Sequence, residues 1–134
     1  MLAVLVDTNV LVDYLDQGSE WFDWSAAMLS DVAERGRVFI NPIIYAEVAV
    51  VYASLEDVET ALPPDYFGRA PLPWDAAFLA AKAYAQYRRR GGTKTSALPD
   101  FFIGAHAAVA GMTLLTRDAR RYRTYFPKLK IIAP

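Results

Sequence analysis

The chain has 134 residues, 54% of them hydrophobic, with no cysteine, one histidine and a formal net charge of -1 at pH 7. This length and composition predict one globular domain, residues 1–134, with ample apolar side chains for a core. The lack of cysteine excludes disulfides, thiolate metal sites and cysteine nucleophiles, and the single His106 excludes a two-histidine acid–base mechanism within one chain. No apolar run reaches membrane-spanning length, and the N-terminus lacks the basic start of a signal peptide, so we expect a cytoplasmic protein.

The charges are divided unequally along the chain. Residues 1–65 contain twelve acids and two bases, a net charge of -10, whereas residues 66–134 contain three acids and twelve bases, a net charge of +9. An acidic region beside a basic surface is the pattern expected of a protein that binds nucleic acid or an acidic peptide. Two ordinary solvated faces would give the same counts, so the charges alone leave both interpretations open.

Along the first half of the chain, apolar runs alternate with amphipathic stretches. The apolar residues 2–6 predict a buried strand that stops at Asp7. Ser19 is predicted to cap a helix, and Asn41 followed by Pro42 predicts the N-cap and first turn of another. The predicted elements are a strand over 2–6, helices over 10–15 and 20–34, a strand over 38–40, a helix over 43–53, and a helix between Ser54, which opens a capping box, and Pro63.

The second half continues this alternation. Asp75 is predicted to cap a long helix, and Gly111 is predicted to end a later one. Strands that alternate with helices predict an α/β fold in which a parallel sheet lies between two layers of helices. The predicted elements are an edge strand within 69–73, a helix from 75 that closes within 88–92, a loop over 93–98, a helix over 101–109, a strand over 112–115, a helix over 119–125 and a strand over 130–132.

Four acids differ from the solvated ones. Asp7 and Asp118 follow predicted strand ends, Glu47 interrupts an apolar helix, and Asp100 lies in the first turn of a helix. Ligands of open parallel sheets bind beyond the carboxyl ends of the strands, so acids at two such ends are candidate site residues. Singly, they have ordinary interpretations as turn residues, helix N-terminal acids or, for Glu47, the acceptor of a hydrogen bond from a buried Tyr or Arg. Together they indicate a hard divalent cation held by oxygen ligands, Mg²⁺ or Mn²⁺.

Four segments carry a family resemblance. Residues 6–11 (VDTNVL), 45–48 (YAEV), 98–107 (LPDFFIGAHA) and 114–122 (LLTRDARRY) resemble, in this order, the motifs of PIN-domain ribonucleases. The resemblance covers essentially the whole chain and is closest to the small VapC-type toxins of prokaryotic toxin–antitoxin pairs. It implies a PIN-like three-layer α/β/α fold with a central parallel sheet of four to five strands.

The resemblance also implies an activity, Mg²⁺-dependent cleavage of RNA phosphodiesters, with Mn²⁺ as an alternative ion. The acids implied to act as both catalytic residues and metal ligands are Asp7, Glu47, Asp100 and Asp118, of which Asp7 and Asp100 look like the principal ligands. The residues implied to hold carboxylates and waters by hydrogen bonds are Thr8, Asn9 and Thr116, a role that the chemistry of such sites also favours. A homodimer and a small antitoxin that covers the active site are implied as well.

The basic half of the chain is interpreted as the surface that grips the phosphates of an RNA substrate, whether tRNA, rRNA or mRNA, beside the acids. The residues assigned to RNA binding are Arg88, Arg89, Arg90, Lys94, Arg117, Arg120 and Arg121. His106 faces Phe102 at helical spacing and is assigned to the core or to a subunit contact, not to catalysis.

Three other functions fit parts of the pattern. A housekeeping RNA-processing nuclease would share the acids but have no antitoxin. A non-catalytic PIN module would only bind protein or RNA, which the four intact acids argue against. A phosphatase with an aspartyl nucleophile would also place Asp7 after the first strand, but it requires a D-x-D pair, and the second position after Asp7 is Asn9.

Overall fold

The computed structural model describes residues 2–134, apart from the side chain of Thr95, so Met1 of the predicted domain lies outside the described residues. The strands are β1 (Leu2–Val6), β2 (Gly36–Ile40), β3 (Phe67–Arg69), β4 (Thr113–Leu115) and β5 (Ile131–Ile132). The helices are α1 (Thr8–Tyr14), α2 (Phe22–Arg35), α3 (Pro42–Ala49), α4 (Leu55–Ala61), α5 (Trp74–Arg89), α6 (Leu98–Ala110) and α7 (Arg120–Tyr125), and a 3-10 turn over Thr95–Ala97 precedes α6. The predicted α/β class is confirmed, and the parallel sheet, expected to have four to five strands, has five among the described residues.

β1 lies at the centre of the sheet. The strand order is β3-β2-β1-β4-β5, and every neighbouring pair is parallel. Val4, Leu5 and Val6 are fully buried, as expected for a central strand covered on both faces. From β1 the chain builds β2 and β3 on one side and then returns to build β4 and β5 on the other. The carboxyl ends of β1 and β4 therefore meet where the winding direction reverses, which is the usual ligand position in such sheets.

Two of the predicted helix caps are confirmed. Asn41 Oδ1 accepts a hydrogen bond of 2.9 Å from Ile44 N at the start of α3, and Ser54 Oγ accepts one of 3.1 Å from Asp57 N at the start of α4. In both cases an extended residue with a short polar side chain satisfies a backbone N–H that has no partner inside the helix.

Two other predicted caps are wrong. α2 begins at Phe22 with Trp21 as its N-cap residue. Ser19 Oγ accepts a hydrogen bond of 3.2 Å from Trp21 N, just before the helix, and donates one of 2.9 Å to the buried Asp13. α5 begins at Trp74, so Asp75 lies inside its first turn and makes no capping hydrogen bond. The sequence did not reveal the outcome at Ser19, because its hydroxyl donates to α1 in a tertiary contact.

Helix α3 is shorter than predicted. It ends at Ala49, and Tyr52 N then donates to Ala49 O in a turn that leads to the Ser54 cap of α4. Val50 and Val51, which the apolar pattern placed in the helix, are consequently more than four-fifths exposed.

Close packing of α6 on α7 places the Tyr122 side chain at the carboxyl end of β1. A Cβ atom added to Gly104 of α6 would lie 2.5 Å from Phe126 Cε2 and 3.0 Å from Tyr122 Cδ1. Only glycine therefore leaves room for these two rings, and Tyr122 is almost completely buried between α6 and the carboxyl end of β1. Among residues 2–134, no helix is both long enough and apolar enough to cross a membrane.

Candidate active site

An open cleft of about 690 Å³ lies at the carboxyl edge of the sheet. All four acids predicted from the sequence line it: Asp7, Glu47, Asp100 and Asp118. They come from the end of β1, from α3, from the first turn of α6 and from the loop after β4. The fold thus brings together residues that are up to 111 positions apart in the chain.

Asp7 is the most enclosed of these acids, with a side chain only 4% exposed. Its Oδ1 accepts a hydrogen bond of 2.7 Å from Thr8 N, which makes Asp7 the N-cap of α1. Its Oδ2 accepts hydrogen bonds of 2.8 Å from Thr116 Oγ1 and 2.9 Å from Tyr122 Oη. The carboxylate is therefore held at both oxygens.

Sequence reasoning did not identify Tyr122 as a site residue. Tyr122 and Phe126 are four residues apart and form the buried side of α7 and its C-terminal end, which a helical reading of the segment would detect. A buried tyrosine hydroxyl usually finds a hydrogen-bond partner. The sequence could thus have predicted that the Tyr122 hydroxyl has a hydrogen-bond partner, but only the fold shows that the partner is Asp7.

Burial raises the pKa of Asp7 from 3.8 to about 6, and the nearby charge of Asp100 adds to the increase. The hydrogen bonds from Thr116, Tyr122 and Thr8 oppose it because they stabilise the ionised carboxylate. Burial and the charge of Asp7 also raise the pKa of the Tyr122 hydroxyl, which stays protonated and donates. A carboxylate that is this costly to ionise is typical of a functional site.

A hydrogen-bonded bridge joins the loops that follow β1 and β4. Asp7 N donates to Leu115 O at 2.8 Å, and Arg117 N donates to Asn9 Oδ1 at 3.0 Å. Asn9 Nδ2 lies 3.3 Å from Thr116 Oγ1, to which Asp118 N also donates at 3.2 Å. Asn9 and Thr116 therefore fix the position of Asp7 relative to Asp118.

The other three acids have protein partners in this structure. Glu47 is half-buried, and its Oε1 accepts a short hydrogen bond of 2.6 Å from Thr8 Oγ1. Asp100 Oδ2 lies 2.7 Å from Arg121 Nη1. Asp118 is exposed, and its Oδ1 accepts a hydrogen bond of 3.3 Å from Arg120 N.

Asp100 and Arg121 form the central ion pair of the cleft. Burial raises the pKa of Asp100, the Arg121 guanidinium opposes this increase, and the charges of Glu47 and Asp118 add to it. The guanidinium carbon also lies 5.4 Å and 5.9 Å from the ring centres of Tyr87 and Phe101. Arg121 is thus held by both charge and aromatic faces.

The oxygen donors suit a hard cation, but they do not converge on one point. Among residues 2–134, no three His, Asp or Glu side chains are placed to hold a metal ion as they stand. Arg121 occupies Asp100, and Thr8 occupies one oxygen of Glu47. Burial raises the pKa of Asp7 and Asp100, and the charges of neighbouring acids add to the increase, so a divalent cation would stabilise both carboxylates in their ionised form. The donor set therefore fits Mg²⁺ or Mn²⁺, with rotation of Asp100 and Glu47 away from these partners.

The basic residues assigned to RNA binding fall into two groups. Lys94, Arg117, Arg120 and Arg121 line the cleft, and Arg88, Arg89 and Arg90 lie outside its lining at the exposed C-terminal end of α5. Arg90 is still near the cleft, because its guanidinium carbon lies 5.4 Å from the ring centre of Tyr125, a lining residue.

Arg117, like Arg121, already has partners, but its acid, Asp13, does not line the cleft. Its Nε lies 2.8 Å from Oδ2 of the buried Asp13, and its guanidinium lies over the Trp21 ring. Nε is buried and makes no hydrogen bond to any described residue, so the contact with Asp13 is an ion pair without an aligned hydrogen bond. Asp13, which sequence reasoning did not single out, also accepts hydrogen bonds from Ser19 and Ser25.

His106 is a core residue, as one of its two predicted roles required. Its side chain is buried, and its Nδ1 lies 3.0 Å from Asn41 Nδ2. Because Asn41 Oδ1 already accepts from Ile44 N, the Asn41 amide donates to Nδ1, and the proton of the neutral imidazole is assigned to Nε2. Burial lowers the pKa of His106, which keeps the ring neutral.

Several solved structures share this fold. The chain is similar to a chain of the VapBC2 complex of Rickettsia felis bound to a promoter DNA fragment, with a TM-score of 0.75 and 17% identity over 98% of each chain. It is similar to one in VapBC-1 of nontypeable Haemophilus influenzae, with a TM-score of 0.75 and 15% identity over 98% of each chain. It is also similar to one in FitAB bound to the IR36 DNA fragment, with a TM-score of 0.70 and 26% identity over 98% of this chain and 94% of the other.

Comparison with curated protein sequences finds no match. Residues 4–127, nearly the whole chain, match the family model described as the PIN domain. With a five-stranded parallel sheet and four acids lining one cleft at its carboxyl edge, the chain belongs to the PIN-domain family.

Proposed function

We propose that this protein is a Mg²⁺-dependent endoribonuclease that acts as the toxin of a toxin–antitoxin pair. The observation that carries the proposal is the buried carboxylate of Asp7, whose pKa is raised to about 6 in a cleft that three further acids line. A bound cation would stabilise the ionised form of this buried carboxylate, and PIN-family membership directs the proposed chemistry toward nucleic acid.

The residues proposed to hold the ion, Mg²⁺ with Mn²⁺ as an alternative, are Asp7, Asp100, Glu47 and Asp118. When bound, such an ion would polarise the scissile phosphate and lower the pKa of a water molecule that attacks it. The protein's own contribution is orientation. Thr116 and Tyr122 hold the Asp7 carboxylate, so this ligand is oriented at little entropic cost on binding, whereas Glu47 would first have to leave Thr8.

The basic rim is proposed to bind the RNA backbone. Lys94, Arg120 and Arg121 line the cleft beside the acids, where they can contact phosphates on either side of the scissile bond. Arg88, Arg89 and Arg90 extend this surface along the end of α5. Arg117 is proposed to contribute mainly through the loop that carries Asp118, because Asp13 and Trp21 already engage its side chain.

The toxin assignment comes from the similar structures. Two of the three described above are VapBC complexes. By analogy we propose that a cognate antitoxin protein binds this chain, and that the chain forms a homodimer, as its family resemblance implies.

The nuclease proposal is tested with purified wild type, Asp7→Asn and the surface control Asp65→Asn. Each is incubated with total RNA in Mg²⁺ or in EDTA, and the 5′ ends of the products are mapped. We expect discrete cleavage sites for wild type and Asp65→Asn in Mg²⁺, and none in EDTA or with Asp7→Asn. Equal inactivity of wild type and Asp7→Asn, with RNA binding retained, would instead identify a binding module.

The toxin role needs a separate measurement, because a housekeeping nuclease would pass the test above. Induced expression of wild type in a bacterial host should arrest growth, and Asp7→Asn at equal abundance should not. A short antitoxin reading frame beside the gene should relieve the arrest when it is co-expressed. Cleavage in vitro without growth arrest would support the housekeeping alternative.

A further inference from the structure

Both acceptor positions on one oxygen of Asp7 are filled by hydroxyl groups. Oδ2 receives Thr116 Oγ1 at 2.8 Å and Tyr122 Oη at 2.9 Å, with Asn9 Nδ2 at the edge of contact at 3.4 Å. An ionised carboxylate oxygen has two lone-pair positions. Oδ2 is therefore saturated by protein donors.

The direction of these hydrogen bonds follows from the surrounding contacts. Thr116 Oγ1 already accepts from Asp118 N at 3.2 Å and from Asn9 Nδ2 at 3.3 Å. Its single proton has two acceptors in reach, and Asp7 Oδ2 at 2.8 Å is nearer than Asp118 O at 3.3 Å. The Tyr122 hydroxyl is buried, and Asp7 is its one hydrogen-bond partner among the described residues. Both hydroxyls thus donate to Oδ2.

The other oxygen of Asp7 has one free position. Oδ1 accepts from Thr8 N at 2.7 Å, which uses one of its two lone pairs. The backbone donor cannot leave without breaking the N-cap of α1. Asp7 can therefore offer a single lone pair of Oδ1 to a ligand in the cleft.

We propose that Tyr122 is a positioning residue that keeps Asp7 a one-oxygen ligand and thereby disfavours Ca²⁺ relative to Mn²⁺ and Mg²⁺. This inference rests on the proposed function. Ca²⁺ accepts carboxylates through both oxygens and takes six to eight ligands, whereas Mg²⁺ takes an octahedral set with one oxygen from each carboxylate. Removing the Tyr122 hydroxyl frees a lone pair on Oδ2, which makes two-oxygen coordination available to the larger ion.

Tyr122 is well suited to this role because it is rigid. Its ring is confined by α6, where a Cβ on Gly104 would approach Cδ1 to 3.0 Å, so the hydroxyl has little freedom to swing away from Asp7. A mobile side chain would yield to an incoming cation, but a packed aromatic ring does not.

The test compares Tyr122→Phe with the matched control Tyr125→Phe. Tyr125 is on the same helix and lines the same cleft, but its hydroxyl makes no hydrogen bond to Asp7. Dissociation constants for Mn²⁺ and for Ca²⁺ are measured by titration calorimetry on wild type and both variants without RNA. The ratio of the two constants is taken within each variant. A lower fraction of folded protein affects both constants equally and therefore leaves the ratio unchanged.

We expect Tyr122→Phe to shift the ratio toward Ca²⁺ by roughly tenfold, the equivalent of one hydrogen bond to a charged oxygen. Tyr125→Phe should leave the ratio unchanged. An unchanged ratio in Tyr122→Phe, with Mn²⁺ binding intact in wild type, would overturn the inference and leave the proposed nuclease standing. Binding of neither ion by wild type would overturn the proposed metal dependence, and this inference with it.

Discussion

Replacing Asp7 by Asn should stabilise the metal-free protein at neutral pH, although it removes the residue most central to the proposed activity. The folded protein raises the pKa of this carboxyl from 3.8 to about 6. Between these values the folded state keeps a proton that the unfolded chain releases, so wild-type stability declines as pH rises through this window. The decline levels off as pH rises past 6, because Asp7 then becomes ionised in both states.

The size of the effect follows from the same two values. A difference of about two pH units corresponds to about 3 kcal/mol of unfolding free energy, which wild type loses between pH 4 and pH 7.5. The variant avoids this loss. Its amide oxygen can keep the hydrogen bonds from Thr116 and Tyr122 if its amide nitrogen faces Thr8 N, which costs about 1 kcal/mol for one lost hydrogen bond. We expect Asp7→Asn to be more stable by about 1–2 kcal/mol at pH 7.5 and slightly less stable at pH 4.

Urea unfolding in EDTA at pH 4, 5, 6, 7 and 7.5 measures this difference. Asp65→Asn removes one exposed carboxylate and serves as the control, for which the difference from wild type should stay small across the range. A difference between wild type and Asp7→Asn that does not change with pH would refute the reasoning, since it would mean that Asp7 ionises without penalty. The expected result would also show that inactivity of Asp7→Asn does not arise from unfolding.

Two further predictions concern residues around the cleft. Arg121→Gln should raise Mn²⁺ affinity by up to about fivefold, the worth of a partly exposed ion pair, because it removes the cation that competes for Asp100. The same change should lower RNA affinity in EDTA, measured by fluorescence anisotropy, and reduce the dependence of log affinity on log salt concentration by about 1. Unchanged Mn²⁺ and RNA affinities would contradict the roles assigned to Arg121 in pairing with Asp100 and in binding phosphate. Gly104→Ala should destabilise the protein by about 1–3 kcal/mol in urea unfolding, because its Cβ would meet the ring of Phe126 at 2.5 Å, and a stability equal to wild type would contradict the packing argument.

Much of the fold was predictable from local chemistry. The apolar run before Asp7 indicates a buried strand from its side chains alone. Asn41 followed by Pro42 indicates a helix start because the Asn41 side chain satisfies a backbone N–H three residues later. Strands that alternate with helices are then expected to form a parallel sheet, because each helix connects two parallel strands. The four acids were predictable as a group for a related reason, since two of them follow strands whose ends meet at one edge.

The hydrogen bonds and ion pairs between side chains around the cleft could not be predicted from local sequence. Ser19 has the chemistry of an N-cap, but it bonds to Asp13 because the fold places a buried carboxylate beside it. Arg121 has the chemistry of a phosphate ligand, but in this structure it pairs with Asp100, 21 residues away. Each of these side chains can form a hydrogen bond or ion pair with several kinds of partner. The sequence alone therefore does not predict which partner it contacts.

The sequence by itself determined that Asp7 ends a buried strand, and that acids from distant segments share its edge of the sheet. Only the tertiary structure decided that Tyr122 lies beneath Asp7 and donates to it, because that contact spans 115 residues and depends on the absence of a side chain at Gly104. Periodicity and capping are local properties that a short segment fixes alone. Hydrogen bonds between distant side chains exist only after packing has brought the segments within 3 Å of one another.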